Sequence, residues 1–138
     1  MVEERYQQRY KNYSKIIKQL NTHLSTHQIE EFSDLEQTGL ATQFQLSFEL
    51  MWKLLKDYLE YQEVEIGVIS PKNVLRAAAT SGLLEQTQAN GEVLMAAHTA
   101  RNQLAYIYNY ENAQEILLQV QQIYLPEMMK VEKFFDGK

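Results

Sequence analysis

Cysteine is absent from the 138 residues, which removes disulfides, zinc–thiolate centres and thiol nucleophiles from consideration. A metal could be held only by oxygen ligands or by the three histidines. Glycine and proline are scarce, five and two in all, too few for the many tight turns of a β-sandwich or barrel. That scarcity points to helices. No stretch approaches the roughly 18 uninterrupted apolar residues of a membrane span. The opening Met1-Val2-Glu3-Glu4-Arg5 carries no apolar leader, so a soluble, cytoplasmic protein with no membrane partner is expected.

What the chain does contain is a globular balance of 45% hydrophobic and 22% charged residues, at a length that suits one domain spanning residues 1–138. The net charge of −5 is unevenly spread. Residues 1–20 hold five bases and two acids, while residues 28–66 hold nine acids and two bases. A chain this acidic has no long-range attraction for nucleic acid, so any RNA contact has to be local.

Apolar spacing supplies the elements. Tyr6, Tyr10, Tyr13, Ile17, Leu20 and Leu24 recur at steps of four and three, one stripe of a helix from about Glu3 to Leu24. Phe44, Phe48, Met51, Leu55, Tyr58 and Leu59 make a second long stripe, with Gly39 a candidate interruption near its start. On another face Glu49, Lys53 and Asp57 form an acid-base-acid ladder. Ser70-Pro71 is a helix start, and Gly82 the stop after about Ser81. Gly91 precedes a fourth segment lined by Val93, Ala97, Ala100 and Leu104, with Leu94, Met95 and Ala105 as an apolar flank that suits a homodimer contact. Asn109 is a cap for the last helix, whose buried side would be Ala113, Ile116, Val120, Ile123, Val131 and Phe134, bent or broken at Pro126. The predicted fold is an all-α, up-and-down four-helix bundle with one additional short helix.

Signatures for phosphate loops, zinc proteases, serine hydrolases and calcium loops are missing. His23 and His27 lie four apart, a metal-compatible spacing, but in a polar stretch with Ser25 and Thr26 that reads as exposed. The nine tyrosines suit half-buried positions straddling core and water. Trp52 reads as core or interface. Lys53 is either a rung of the charge ladder or a phosphate ligand. The stretch from His98 to Tyr108 stands apart, because Arg101 falls at the edge of the apolar stripe and its guanidinium emerges beside the core. Such an Arg either takes an anion or pairs with an acid of helix two. Asn102 follows it, His98 lies one turn before it, and Tyr108 returns to nearly the same side two turns on.

With these residues in view the chain resembles the nucleotidyltransferase substrate-binding protein family, a branch of the HEPN superfamily of helical bundles. The blocks that carry the likeness are Arg9-Tyr10-x-Asn12-Tyr13, then Phe44-x-x-x-Phe48-Glu49-Leu50-x-Trp52-Lys53-x-Leu55-Lys56-Asp57-Tyr58-Leu59, then Ser70-Pro71-Lys72-x-Val74-Leu75-Arg76 with Gly82-Leu83, then Arg101-Asn102 with Tyr108 and Ala113. The resemblance implies a HEPN-like bundle without a cofactor. It would form a homodimer and partner a separately encoded minimal nucleotidyltransferase, as a toxin–antitoxin or modification pair. A nucleotide or RNA ligand held by Arg101, Asn102, Tyr108 and Lys53 is expected, and the resemblance implies modification of Tyr108 by the partner.

The family's fourth block usually reads Arg-Asn-x-x-x-His-x-Tyr, with Arg and His as a ribonuclease pair, and here the His position is Tyr106. Metal-independent RNA cleavage needs a base for the 2′-hydroxyl proton and a cation for the crowded phosphate. Tyrosine, with an ordinary pKa near 10, is ionised at about one part in a thousand at neutral pH. The expected function is therefore substrate binding without ribonuclease activity. The alternatives are an active ribonuclease toxin using Arg101 with His98 or Tyr106, and a purely structural helical dimer. On a continuous helix His98 would lie about 60° from Arg101 and Tyr106 about 140°.

Overall fold

The computed structural model describes residues 2–106 and 110–138. Among them every regular element is helical, the all-α class that the sequence predicts. Helix α1 spans Arg5–Leu24 and buries Tyr6, Tyr13, Ile17, Leu20 and Leu24. Glu4 opens it through a capping box with Gln7, which satisfies free N–H groups of the first turn.

Helix α2 spans Asp34–Tyr61 and starts from a capping box between Ser33 and Glu36. It runs unbroken through Gly39, contrary to the expected interruption. An interior glycine weakens a helix by only about 1 kcal/mol relative to alanine, less than burial of Leu40, Phe44, Phe48 and Met51 on the same helix contributes. Arg9 bonds Asp57 at one end of the α1–α2 pair and His23 contacts Gln43 at the other, so the two helices are antiparallel.

Asp57 is not a rung of the surface ladder. Its side chain is wholly buried, with Oδ2 2.9 Å from Arg9 Nε and Oδ1 3.3 Å from Lys56 Nζ. Regular spacing along α2 placed it beside Lys53, but Arg9 from α1 and the adjacent Lys56 are its partners instead.

Helix α3 spans Pro71–Thr80 behind the Ser70 cap. Gly82 adopts φ +87° and ends the turn after it, the left-handed stop expected of glycine. A second short helix, α4 (Leu83–Thr87), follows at once without a side-chain cap at its start. Helix α5 spans Gly91–Leu104, capped by Asn90, whose side-chain oxygen accepts from the Glu92 and Val93 N–H groups. Leu94 belongs to its buried face, so the apolar flank that suggested a dimer contact shrinks to Met95 and Ala105.

Helix α6 (Tyr110–Gln119) passes through a π turn at Val120–Tyr124 into α7 (Leu125–Phe135). The Leu125 N–H reaches the Val120 carbonyl five residues back. This wide turn sits directly before Pro126, which has no N–H for a regular bond, and helical hydrogen bonding continues through it, so the chain is not broken at the proline. The turn also moves the buried line. Steps of four carry Val120 to Tyr124 and Met128, while Ile123, predicted inward, is exposed and Phe134 only half-buried.

Tyr13 is fully buried and donates to the Met128 carbonyl at 2.6 Å, and the buried Glu132 carboxylate accepts from Tyr10 and Ser14. These bonds lock α7 onto α1. Tyr6, Tyr13, Tyr58 and Tyr124 lie deeper than the straddling positions expected. No helix among the described residues is long and apolar enough to cross a membrane.

Candidate functional site

Helix α5 carries three of the predicted residues, His98, Arg101 and Asn102, and divides them between two sides. His98 faces inward, its ring 5.6 Å from that of Phe48 on α2. Burial lowers its pKa below 6.5, the charges of Lys72 and Arg101 add to that, and Glu49 opposes them. The imidazole is therefore neutral at pH 7.

Arg101 turns toward α2. Its Nη2 lies 3.3 Å from Glu49 Oε2, and its Nε is buried with no hydrogen-bond partner among the described residues. Glu49 also accepts from the Trp52 indole at 3.0 Å and pairs with Lys53 at 3.3 Å. Burial pushes the Glu49 carboxyl up, but the Trp52 and Lys53 hydrogen bonds with the Lys53 and Arg101 charges outweigh it and hold the pKa below 4.5. Pairing with an acid of helix two, one of the two roles open to Arg101 in the sequence, is present. Lys53 likewise sits in this cluster, 5.9 Å from the centre of the Trp52 ring.

On the other side of α5 is a cleft of about 840 Å³, within the usual range for a small-molecule site. His98, Thr99, Asn102 and Tyr106 line it, with Lys72 from α3 and Glu115 from α6. Arg101 and Lys53 are not among the described residues of its wall. Asn102 joins the two sides. Its Oδ1 accepts from Arg101 Nη1 at 3.3 Å, while its Nδ2 lies 3.5 Å from His98 Nε2. The second contact is long, and it needs the neutral imidazole to keep its proton on Nδ1.

Helix α5 ends at Leu104, and the Tyr106 N–H closes a turn onto the Gln103 carbonyl. The angles drawn for a helix continuing to Tyr108 therefore do not apply to Tyr106, which is 78% exposed on the cleft's lip. Tyr108, predicted as a ligand and modification site, and the Asn109 cap lie outside the described residues. His23 and His27 are exposed and engage different partners, Gln43 and Thr26.

Sequence reading missed Lys72 and Glu115. Lys72 stood in a quoted block but only as part of a helix start, and Glu115 reaches the cleft through the packing of α6 beside α5, which spacing alone does not encode.

A family model described as "Nucleotidyltransferase substrate binding protein like" matches residues 8–136. No curated protein matches the chain. The family match covers all but the first seven and last two residues, and the chain belongs to that family.

Proposed function

We propose that this member of the nucleotidyltransferase substrate-binding family is a subunit without ribonuclease activity of its own that holds a nucleotide-type substrate for a separately encoded minimal nucleotidyltransferase. The two chains would form a modification or toxin–antitoxin pair, with this chain as a homodimer. The observation that carries the reading is the cleft beside α5, where neutral His98, Asn102 and Tyr106 face Lys72 in a space sized for one small molecule. Tyr106 stands where a ribonuclease would need a base, and a phenol suits contact rather than proton removal at neutral pH. Arg101 and Lys53, both bound to Glu49, lie behind Asn102 and outside the described wall of the cleft.

Purification of the native complex, with mass analysis of what it holds, tests the pairing. Co-elution with a small nucleotidyltransferase is expected. A chain that elutes alone, and does not associate with such an enzyme when the two are co-expressed, would remove the reading. Sedimentation at micromolar concentration tests the dimer, and a monomer there would remove that element.

One observation favours a second reading. His98 is neutral, faces the cleft and is linked through Asn102 to Arg101, so a base and a cation occur on one helix. A metal-independent ribonuclease built on them would cleave RNA in chelator, and His98→Ala would abolish the cleavage.

A further inference from the structure

The charge on the cleft wall limits what it can hold. Among its described residues Lys72 brings one positive charge and Glu115 one negative. The remaining polar groups are uncharged at neutral pH, chiefly the carboxamides of Asn102, Gln103, Asn112 and Gln119. His98 adds no charge, since burial, Lys72 and Arg101 keep it neutral against the pull of Glu49. The guanidinium of Arg101 is spent on Glu49. Among the described residues the wall is close to neutral.

A nucleoside triphosphate carries about four negative charges at pH 7 and is ordinarily cradled by a glycine-rich loop, a lysine and a metal ion. Here one lysine faces one glutamate, and the sequence has no such loop. A nucleobase makes different demands. Its edge presents donors and acceptors that carboxamides match in pairs, and its face stacks on an exposed aromatic ring. Four carboxamides and the Tyr106 ring on the lip meet both.

Resting on the substrate-binding reading above, we propose that the cleft takes a nucleoside carrying at most one phosphate. Lys72 meets the phosphate, the carboxamides read the base and Tyr106 stacks on it. The triphosphate that a nucleotidyltransferase consumes is held elsewhere, so this chain holds the acceptor rather than the donor.

Titration calorimetry on the full chain tests this, with the four ribonucleoside 5′-monophosphates, then the nucleoside and triphosphate of the tightest binder, then inorganic phosphate. The monophosphate is expected to bind on the order of tenfold tighter than the triphosphate and up to tenfold tighter than the nucleoside. Lys72→Ala should erase the advantage over the nucleoside, and Glu115→Gln should narrow the gap to the triphosphate. Both positions are exposed, and circular dichroism checks that the variants fold.

A triphosphate that binds tighter than the monophosphate would overturn the proposal. So would phosphate alone binding as tightly as the monophosphate, nucleoside binding that ignores Asn102→Ala, or monophosphate binding that ignores Lys72→Ala. Failure of every probe to bind also overturns it, while leaving co-elution with a nucleotidyltransferase to be decided separately.

Discussion

Arg101 and Glu49 close an ion pair between α5 and α2, with Nη2 3.3 Å from Oε2. Each side chain is about a third exposed, so the pair is partly screened by water and its own contribution to stability is modest. Its larger effect is on binding. Glu49 occupies the position an external anion would take, and any phosphate reaching Arg101 has to displace a carboxylate that three donors hold ionised.

Glu49→Gln should leave stability within about 1 kcal/mol of the parent, since the amide still accepts from Trp52 and an exposed pair contributes little. Phosphate affinity should rise several-fold as Arg101 is released. Urea unfolding with a phosphate titration checks both. The sign with pH is fixed by the lowered Glu49 pKa. Its contribution is present above the ordinary carboxylate range and is lost as pH falls through the depressed folded-state value, below 4.5, so the Gln variant should lose less stability there.

Asp57 is the opposite case, a carboxylate with no exposed side-chain surface between Arg9 and Lys56. Asp57→Ala strips two cations of their buried partner and should destabilise by about 3 kcal/mol. Chemical denaturation showing less than about 1 kcal/mol would mean that water satisfies Arg9 and Lys56 once the carboxylate is gone.

Stripes on α1, α2 and α5 were legible because each is amphipathic by itself, and Ser70-Pro71 and Gly82 were legible because their chemistry is local. The π turn was not. It exists because Pro126 lacks an N–H while Tyr124 and Met128 both pack inward, a compromise settled by tertiary contact. At the site, Arg101, Asn102 and His98 were legible as a cluster on one helix. Their division between an ion pair and a cleft depends on Glu49 and Lys72, which come from other helices and have no fixed spacing to α5. Tyr106 was misplaced because the wheel assumed a helix continuing past Leu104.

His98 should titrate below 6.5 in the folded protein, measured by the ring proton shifts. Because folding lowers its pKa, the unfolded chain takes up the proton first. Stability should therefore hold above pH 6.5 and decline as pH falls from there toward the folded-state pKa. His98→Gln should flatten that decline. An unchanged pH profile would place the dependence on another group.

Tyr106→His should raise ribonuclease activity from a very low or absent level in the parent. The change replaces a phenol by an imidazole, the side chain suited to proton removal at neutral pH, and a general base is typically worth 10²- to 10⁴-fold when geometry is right. Residue 106 is exposed on the cleft's lip rather than buried, so imidazole is accommodated there without repacking the core. Arg101, however, is held by Glu49 across the helix, and a base without its cation gains little. The single variant should therefore show a small gain in cleavage of a fluorogenic RNA in chelator, and Tyr106→His combined with Glu49→Gln a larger one. Equal, undetectable cleavage by both would mean that the cleft is shaped for binding alone. Fast cleavage by the parent, abolished by His98→Ala, would make the chain a ribonuclease as it stands.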